Sequence, residues 1–321
     1  MSARQTATYL AYRGLGTAIQ QVPAFVANSV AAVIGEAMLA TKAQSREMAA
    51  RNVRRVLASD PSEVVDDRTV RRTVRRAFHA YARYWVEGAR LPALGAAEIR
   101  ENLTVESGFE TLERAIAAGR GVVLALPHVG SWEWGGAYVR ARGYRIASVA
   151  EQVSPPQLFA WLLEQRRAMG LEVVPLDRAA GGTLLNFLRD GHVVALLCDR
   201  DIAGTGVPVR FFGELTTLPG GPATLALRTG AALMTAVVYR GPGHHHTAVM
   251  SPPIDTGRTS SLRADVHRVT QAIACDFERY IRRAPEQWHL FQPNWPSDRP
   301  DGAAHADSPQ IDGAAPAAGR P

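Results

Sequence analysis

Apolar and polar positions alternate along this chain in two rhythms. Over residues 7–91 the apolar side chains return every three or four positions, the period of helices with one buried face. The last of these helices is opened by Asp66 or Asp67 as its cap. Val70, Val74, Phe78, Tyr81 and Trp85 lie along one stripe of it, and Arg68, Arg71, Arg72, Arg75 and Arg76 along the other. From residue 103 the rhythm changes. A short strand is predicted at 103–105, a helix at 110–118 stopped by Gly119, and a buried strand at 121–127. Strands follow at 145–150, 172–176 and 192–198, separated by helices at 156–169 and 183–189. A helix and two strands follow within 224–250, and an amphipathic helix at 265–283. Short apolar runs alternating with helices predict an α/β fold, a mostly parallel central sheet with helices on both faces. A helical region precedes it. The expected organisation is one domain over 1–296, with 1–91 helical and membrane-docking and 103–283 the α/β core. Residues 297–321 carry almost no large apolar side chain and are expected to form a disordered tail.

Composition bounds the class of protein. The chain of 321 residues is 46% hydrophobic and 21% charged, with a net charge of +6. Lys42 is its single lysine, so arginine supplies the rest of the basic balance. Guanidinium groups pair in two-pronged fashion with phosphates and carboxylates, which suits nucleic acid, an anionic membrane surface or a phosphorylated substrate, and the charge does not choose among them. Two cysteines, Cys198 and Cys275, are too few for a disulfide framework or a zinc cluster. Residues 1–16 lack the apolar core of a signal peptide. Residues 22–40 are apolar but interrupted by Pro23, Asn28, Ser29 and Glu36, poor material for a spanning helix. The expectation is a peripheral protein on the cytoplasmic face of the cell membrane.

In open α/β sheets the chemistry gathers beyond the carboxyl ends of the strands. Three places qualify: His128 after strand 121–127, Glu151 after 145–150, and Asp199-Arg200-Asp201 after 192–198. His128 and Glu133 belong to LPHVGSWEWGG, residues 126–136. With His128 in the loop and Glu133 in the first helical turn, Glu133 is expected to orient the imidazole, and His128 to act as a general base. Other chemistries lack their motifs: no G-x-S-x-G elbow, no P-loop, no complete dinucleotide fingerprint. His244, His245 and His246 read as an exposed hairpin turn rather than a metal site, and no metal is expected.

His-x4-Glu after a strand is similar to the His-x4-Asp/Glu signature of glycerolipid acyltransferases. The block CDRDIAGTGVPVRFFGELTTLPGGPATLALRTGA, residues 198–232, resembles the bacterial lipid A biosynthesis acyltransferase family. AYARYWVEGARLP (80–92), the glutamate of VAEQV (149–153), RRAMGLEVVP (166–175) and PEQWHLFQPNW (285–295) look like the phosphatidylinositol mannoside acyltransferases of that family. The resemblance spans roughly residues 8–296. It implies a glycerolipid acyltransferase-like fold and an apolar tunnel for an acyl chain. The implied donor is acyl-CoA, a co-substrate with no other cofactor, and the implied acceptor a mannose hydroxyl of a phosphatidylinositol mannoside. Nucleic acid is not an expected partner. It further implies His128 as base, Glu133 as its orienting acid, and Glu151, Arg166, Asp199, Arg200 and Asp201 in the cleft. Phe211 and Phe212 are expected to border the acyl tunnel. Glu133 stands where many relatives have aspartate.

Overall fold

The computed structural model describes residues 13–299 except 15, 61, 63–64, 151–155, 178 and 203. Three long helices lead: α1 (Ala24–Thr41), α2 (Ala43–Ala58) and α3 (Asp67–Arg90). Asp66 caps α3 by accepting a hydrogen bond from the Thr69 N–H at 2.6 Å. Val70, Val74, Phe78 and Tyr81 are buried along one stripe of α3 as their spacing predicts, but Trp85 is 44% exposed. The five arginines opposite are exposed.

The core alternates as expected: α4 (Ala96–Glu101), β1 (Leu103–Ser107), α5 (Phe109–Ala117), β2 (Val122–Leu126), α6 (Trp132–Ala141), β3 (Ile146–Ala150), α7 (Pro156–Ala168), β4 (Glu172–Pro175), α8 (Ala180–Arg189) and β5 (Val193–Leu197). Then come a hairpin of β6 (Val207–Phe211) and β7 (Glu214–Leu218), α9 (Gly221–Thr229), β8 (Ala232–Arg240), β9 (His246–Met250) and α10 (Leu262–Arg283). Seven strands form one sheet in the order β1-β9-β8-β2-β5-β3-β4. Every pairing is parallel except β8 with β9.

Successive side chains on a strand point to opposite faces, and β2 uses both. Val123 and Ala125 join a core with residues of α8, α9 and α10, while Val122, Leu124 and Leu126 join one with residues of α5 and α6. The strand that carries the candidate base is therefore covered on both faces. Its neighbour β5 is in register, with Leu126 opposite Leu197. Two residues beyond each lie His128 and Asp199, at the same end of the sheet.

Two sequence expectations are corrected. Asp298 is buried, and its carboxylate accepts the N–H groups of Asn294 and Trp295 and pairs with Arg55 at 3.0 Å. The ordered chain therefore runs past residue 296, while 300–321 lie outside the described residues. Helix α1, read as poor spanning material, is the one helix among the described residues long and apolar enough to cross a membrane. Only 17% of it is buried. Ala27, Ala31 and Gly35 form that covered face. A Cβ on Gly35 would come within 2.9 Å of the His79 Cα, so the small residues let α1 lie close on α3.

Candidate active site

The loop between β2 and α6 holds His128, and the rest of the protein fixes it residue by residue. The His128 main-chain N–H donates to Asp199 Oδ2 at 2.9 Å, and its ring Nδ1 lies 2.5 Å from Asp199 Oδ1. Gly130 N–H donates to Gln287 O, and Ser131 N–H to Val238 O, each at 2.9 Å. Gly130 adopts φ +64°, and a Cβ there would collide with the Val238 carbonyl, so the bend admits only glycine. His289 donates its main-chain N–H to the His128 carbonyl at 2.8 Å.

Asp199 is fully buried at the end of β5. Trp288 donates its indole N–H to Oδ2 at 2.8 Å, and Asn294 donates to the Asp199 carbonyl at 3.1 Å. Burial works to raise the acid's pKa. The His128 ring and these hydrogen bonds outweigh it and hold the carboxylate below its ordinary range. An ionised Asp199 places the imidazole proton on Nδ1. That leaves Nε2, which has no hydrogen-bond partner among the described residues, as the basic nitrogen.

The carboxylate beside His128 is thus that of Asp199, which corrects the expectation for Glu133. Glu133 sits in the first turn of α6, where its Oε1 accepts from Tyr84 Oη at 2.8 Å and from Arg166 Nη2 at 3.1 Å. Its Oε2 is buried without a hydrogen-bond partner. Burial and the neighbouring carboxylate push the Tyr84 pKa well up, keeping its hydroxyl a donor. Burial works against the Arg166 charge, but Glu133 more than compensates and raises its pKa.

Glu133 and Arg166 lie in the wall of a cavity between α6 and the sheet. The rest of that wall is largely apolar, including Leu124, Leu126, Tyr138, Val238 and Met250. Gly135 and Gly136 open the α6 side, where a Cβ would meet Val238 and Leu171. The space is partly open to solvent, and apolar walls with a few polar groups are the usual make-up of small-molecule sites. Trp132, also in the wall, meets His128 edge to face with ring centroids 5.2 Å apart. His128 therefore stands beside a residue of the cavity wall.

The remaining predicted residues divide. Arg200 donates to Gln292 at 2.8 Å, and Asp201 accepts from Gly204 N–H, Gly206 N–H and Thr217, organising the loop before β6. Phe211 and Phe212 do not line this cavity. They pack with Trp288 and Trp295 in the core on the other face, which corrects their assignment to the tunnel. Glu151 lies outside the described residues. Of the histidine run, His244 and His245 are exposed, whereas His246 is buried and stacks on Trp134 at 4.2 Å. Sequence reasoning gave no role to Tyr84, Trp132, Trp288, His289 or Asn294. Three of these belong to the segment 285–295, whose resemblance was noted without a role for any residue.

A histidine–aspartate pair thus stands at the strand ends beside an apolar cavity, and the class of the protein, an acyltransferase, comes from its relatives. Residues 1–297 match the bacterial lipid A biosynthesis acyltransferase family, and the chain belongs to it. Among curated proteins it is 38% identical to the phosphatidylinositol mannoside acyltransferase of Mycolicibacterium smegmatis over 79% of this chain and 81% of that one. It is 36% identical to the protein of the same name in Mycobacterium tuberculosis, over 92% of this chain and 91% of that one.

Proposed function

We propose that this acyltransferase moves a fatty acyl group, palmitoyl being the expected chain, from acyl-CoA to a mannose hydroxyl of a phosphatidylinositol mannoside. The observation that carries the reading is the apolar cavity with the Asp199-held His128 beside its wall, in a chain similar along most of its length to enzymes named for that acceptor. His128 Nε2 takes the proton of the acceptor hydroxyl as its oxygen attacks the thioester carbonyl, and Asp199 stabilises the imidazolium that forms. The C–S bond then breaks, and the imidazolium returns the proton to the departing thiolate.

Direct transfer suits the surroundings of the base. Cys198 is buried in the core, where desolvation and the adjacent Asp199 push its thiol pKa up, away from thiolate character. Ser131 Oγ donates to the buried Glu87 at 3.3 Å rather than facing His128. Glu133 and Arg166 form a charge-neutral pair in the cavity wall, and the unpartnered Oε2 can accept from a bound substrate. Helix α1, with Phe25 72% and Val33 70% exposed, would seat the enzyme on the cytoplasmic face of the membrane that holds the acceptor.

Incubation with labelled palmitoyl-CoA, a mannosylated phosphatidylinositol and a lysophospholipid tests the reading. Label on the mannose is the expected result. Label on the lysophospholipid, or on another glycolipid offered in its place, would move the assignment to a different acceptor. Donor bound without any transfer would make the protein a lipid-binding one.

A further inference from the structure

Acyl transfer to a hydroxyl passes through a tetrahedral oxyanion, and a site that stabilises it needs a donor aimed where the charge develops. The loop amides that commonly serve are committed here. His128 N–H donates to Asp199, Val129 N–H to Pro127 O, Gly130 N–H to Gln287 O and Ser131 N–H to Val238 O. Arg166 is occupied with Glu133. Among the buried side-chain donors of the cavity wall, one lacks an acceptor. Trp132 Nε1 is buried and has no hydrogen-bond partner, and of the buried side-chain donors in that condition Trp132 alone lines the cavity. A buried N–H without an acceptor is unfavourable, and protein interiors rarely keep one without reason. Its indole meets the His128 ring at 5.2 Å and packs on Tyr84 at 4.2 Å, so the ring is fixed beside the base. Trp132 is also the first residue of α6, at the positive end of that helix.

We propose that the Trp132 indole N–H donates to the oxyanion of the tetrahedral intermediate, making Trp132 a catalytic residue. This rests on the acyl-transfer reading above. When the acceptor oxygen bonds to the thioester carbon, the carbonyl π pair moves onto its oxygen, and that oxygen gains the indole hydrogen bond. When the C–S bond breaks, the pair returns to the carbonyl and the hydrogen bond weakens. The ground-state carbonyl is the poorer acceptor, so the contact favours the transition state over the bound donor.

The test replaces Trp132 with β-(3-benzothienyl)alanine, which keeps the two fused rings and puts sulfur in place of the N–H. Labelled palmitoyl-CoA and mannosylated phosphatidylinositol serve as substrates. The expected result is a fall in kcat of roughly 10²- to 10³-fold with KM for palmitoyl-CoA nearly unchanged. The pH profile of kcat should keep its midpoint, because His128 and Asp199 are untouched. Trp132→Phe, which also lacks the N–H, carries the same expectation if the sulfur variant does not fold. A kcat within about tenfold of wild type overturns the proposal, since one such donor is worth more than that. So does a loss confined to KM, which would make the indole a ground-state contact, or a displaced pH midpoint, which would make it a positioning group for His128. Wild-type protein that transfers no label defeats the acyl-transfer reading itself; an active wild type with an equally active sulfur variant defeats only the role of Trp132.

Discussion

Asp199 holds His128 twice, by the ring Nδ1 at 2.5 Å and by the main-chain N–H at 2.9 Å. The acid thereby fixes both the tautomer of the ring and the path of the loop that carries it. Asp199→Asn keeps the shape but offers an N–H toward Nδ1, which favours the wrong tautomer. Transfer should fall by roughly 10²- to 10⁴-fold, the range of general-base assistance. His128→Ala should cost as much, and the double variant little more, because the two act as one unit. Steady-state kinetics on the three variants, each shown folded by circular dichroism, checks this. Losses that multiply would show that the residues act separately.

Glu133 should respond differently. Its carboxylate balances Arg166, which is only 27% exposed. Glu133→Gln keeps a hydrogen-bond acceptor but leaves a largely buried guanidinium without its counter-charge, and about 1–3 kcal/mol of stability should be lost. Adding Arg166→Leu should recover part of that loss. Urea unfolding of the single and double variants measures it. The midpoint of the kcat pH profile should stay in place in Glu133→Gln and disappear in Asp199→Asn.

That contrast shows what the sequence could reveal. The strands were legible because a covered parallel strand must be apolar on both faces, and the run 121–127 is. Placing His128 and Asp199 at strand ends needed only that pattern. Their contact needed the sheet order, in which β2 and β5 are neighbours although 71 positions separate the two residues. The four-residue gap between His128 and Glu133 suggested a local pair, whereas helix α6 carries Glu133 to Arg166 and Tyr84. The hairpin of β6 and β7 went unassigned because Pro208 and the exposed Leu215 break the simple alternation. Trp288, 89 positions from Asp199, offered nothing local to read.

Acid should destabilise the protein through His289. The ring is buried among Tyr81, Tyr84 and Trp132. Burial first, and the nearby Arg240 charge second, lower its pKa from 6.5 to about 3. The unfolded chain takes up this proton near pH 6.5 and the folded one does not until about pH 3. The contribution is therefore complete above pH 6.5 and is lost as pH falls toward 3. The loss from this group is about 1.4 kcal/mol per pH unit, or about 2 kcal/mol at pH 5. His289→Gln, whose amide can take over the ring Nε2 hydrogen bond to the Gly130 carbonyl (3.1 Å), should be less stable at pH 7 but should lose less between pH 7 and 5. Urea unfolding at the two pH values decides it, and equal slopes in wild type and variant would exclude His289 as the source.

Membrane docking can be resolved into its apolar and ionic parts. Helix α1 exposes Phe25 and Val33 on the side away from α3, and the outer side of α3 exposes Arg68, Arg71, Arg72, Arg75 and Arg76. These are different surfaces and should respond to different variables. Each arginine near an anionic surface adds about 1 kcal/mol, although Arg75 already pairs with Glu36 and contributes less. Screening beyond about 8–10 Å in salt should remove most of that part, while apolar insertion persists. Flotation with vesicles of rising anionic content should therefore show partial release in salt for the wild type. Phe25→Glu with Val33→Glu should weaken binding at every salt concentration and make the remainder fully salt-releasable. Replacing Arg68, Arg71 and Arg72 by Gln should remove the dependence on anionic lipid and leave a salt-resistant fraction. Wild-type binding indifferent to both salt and anionic lipid would mean that the arginine face is solvated and that α1 docks alone.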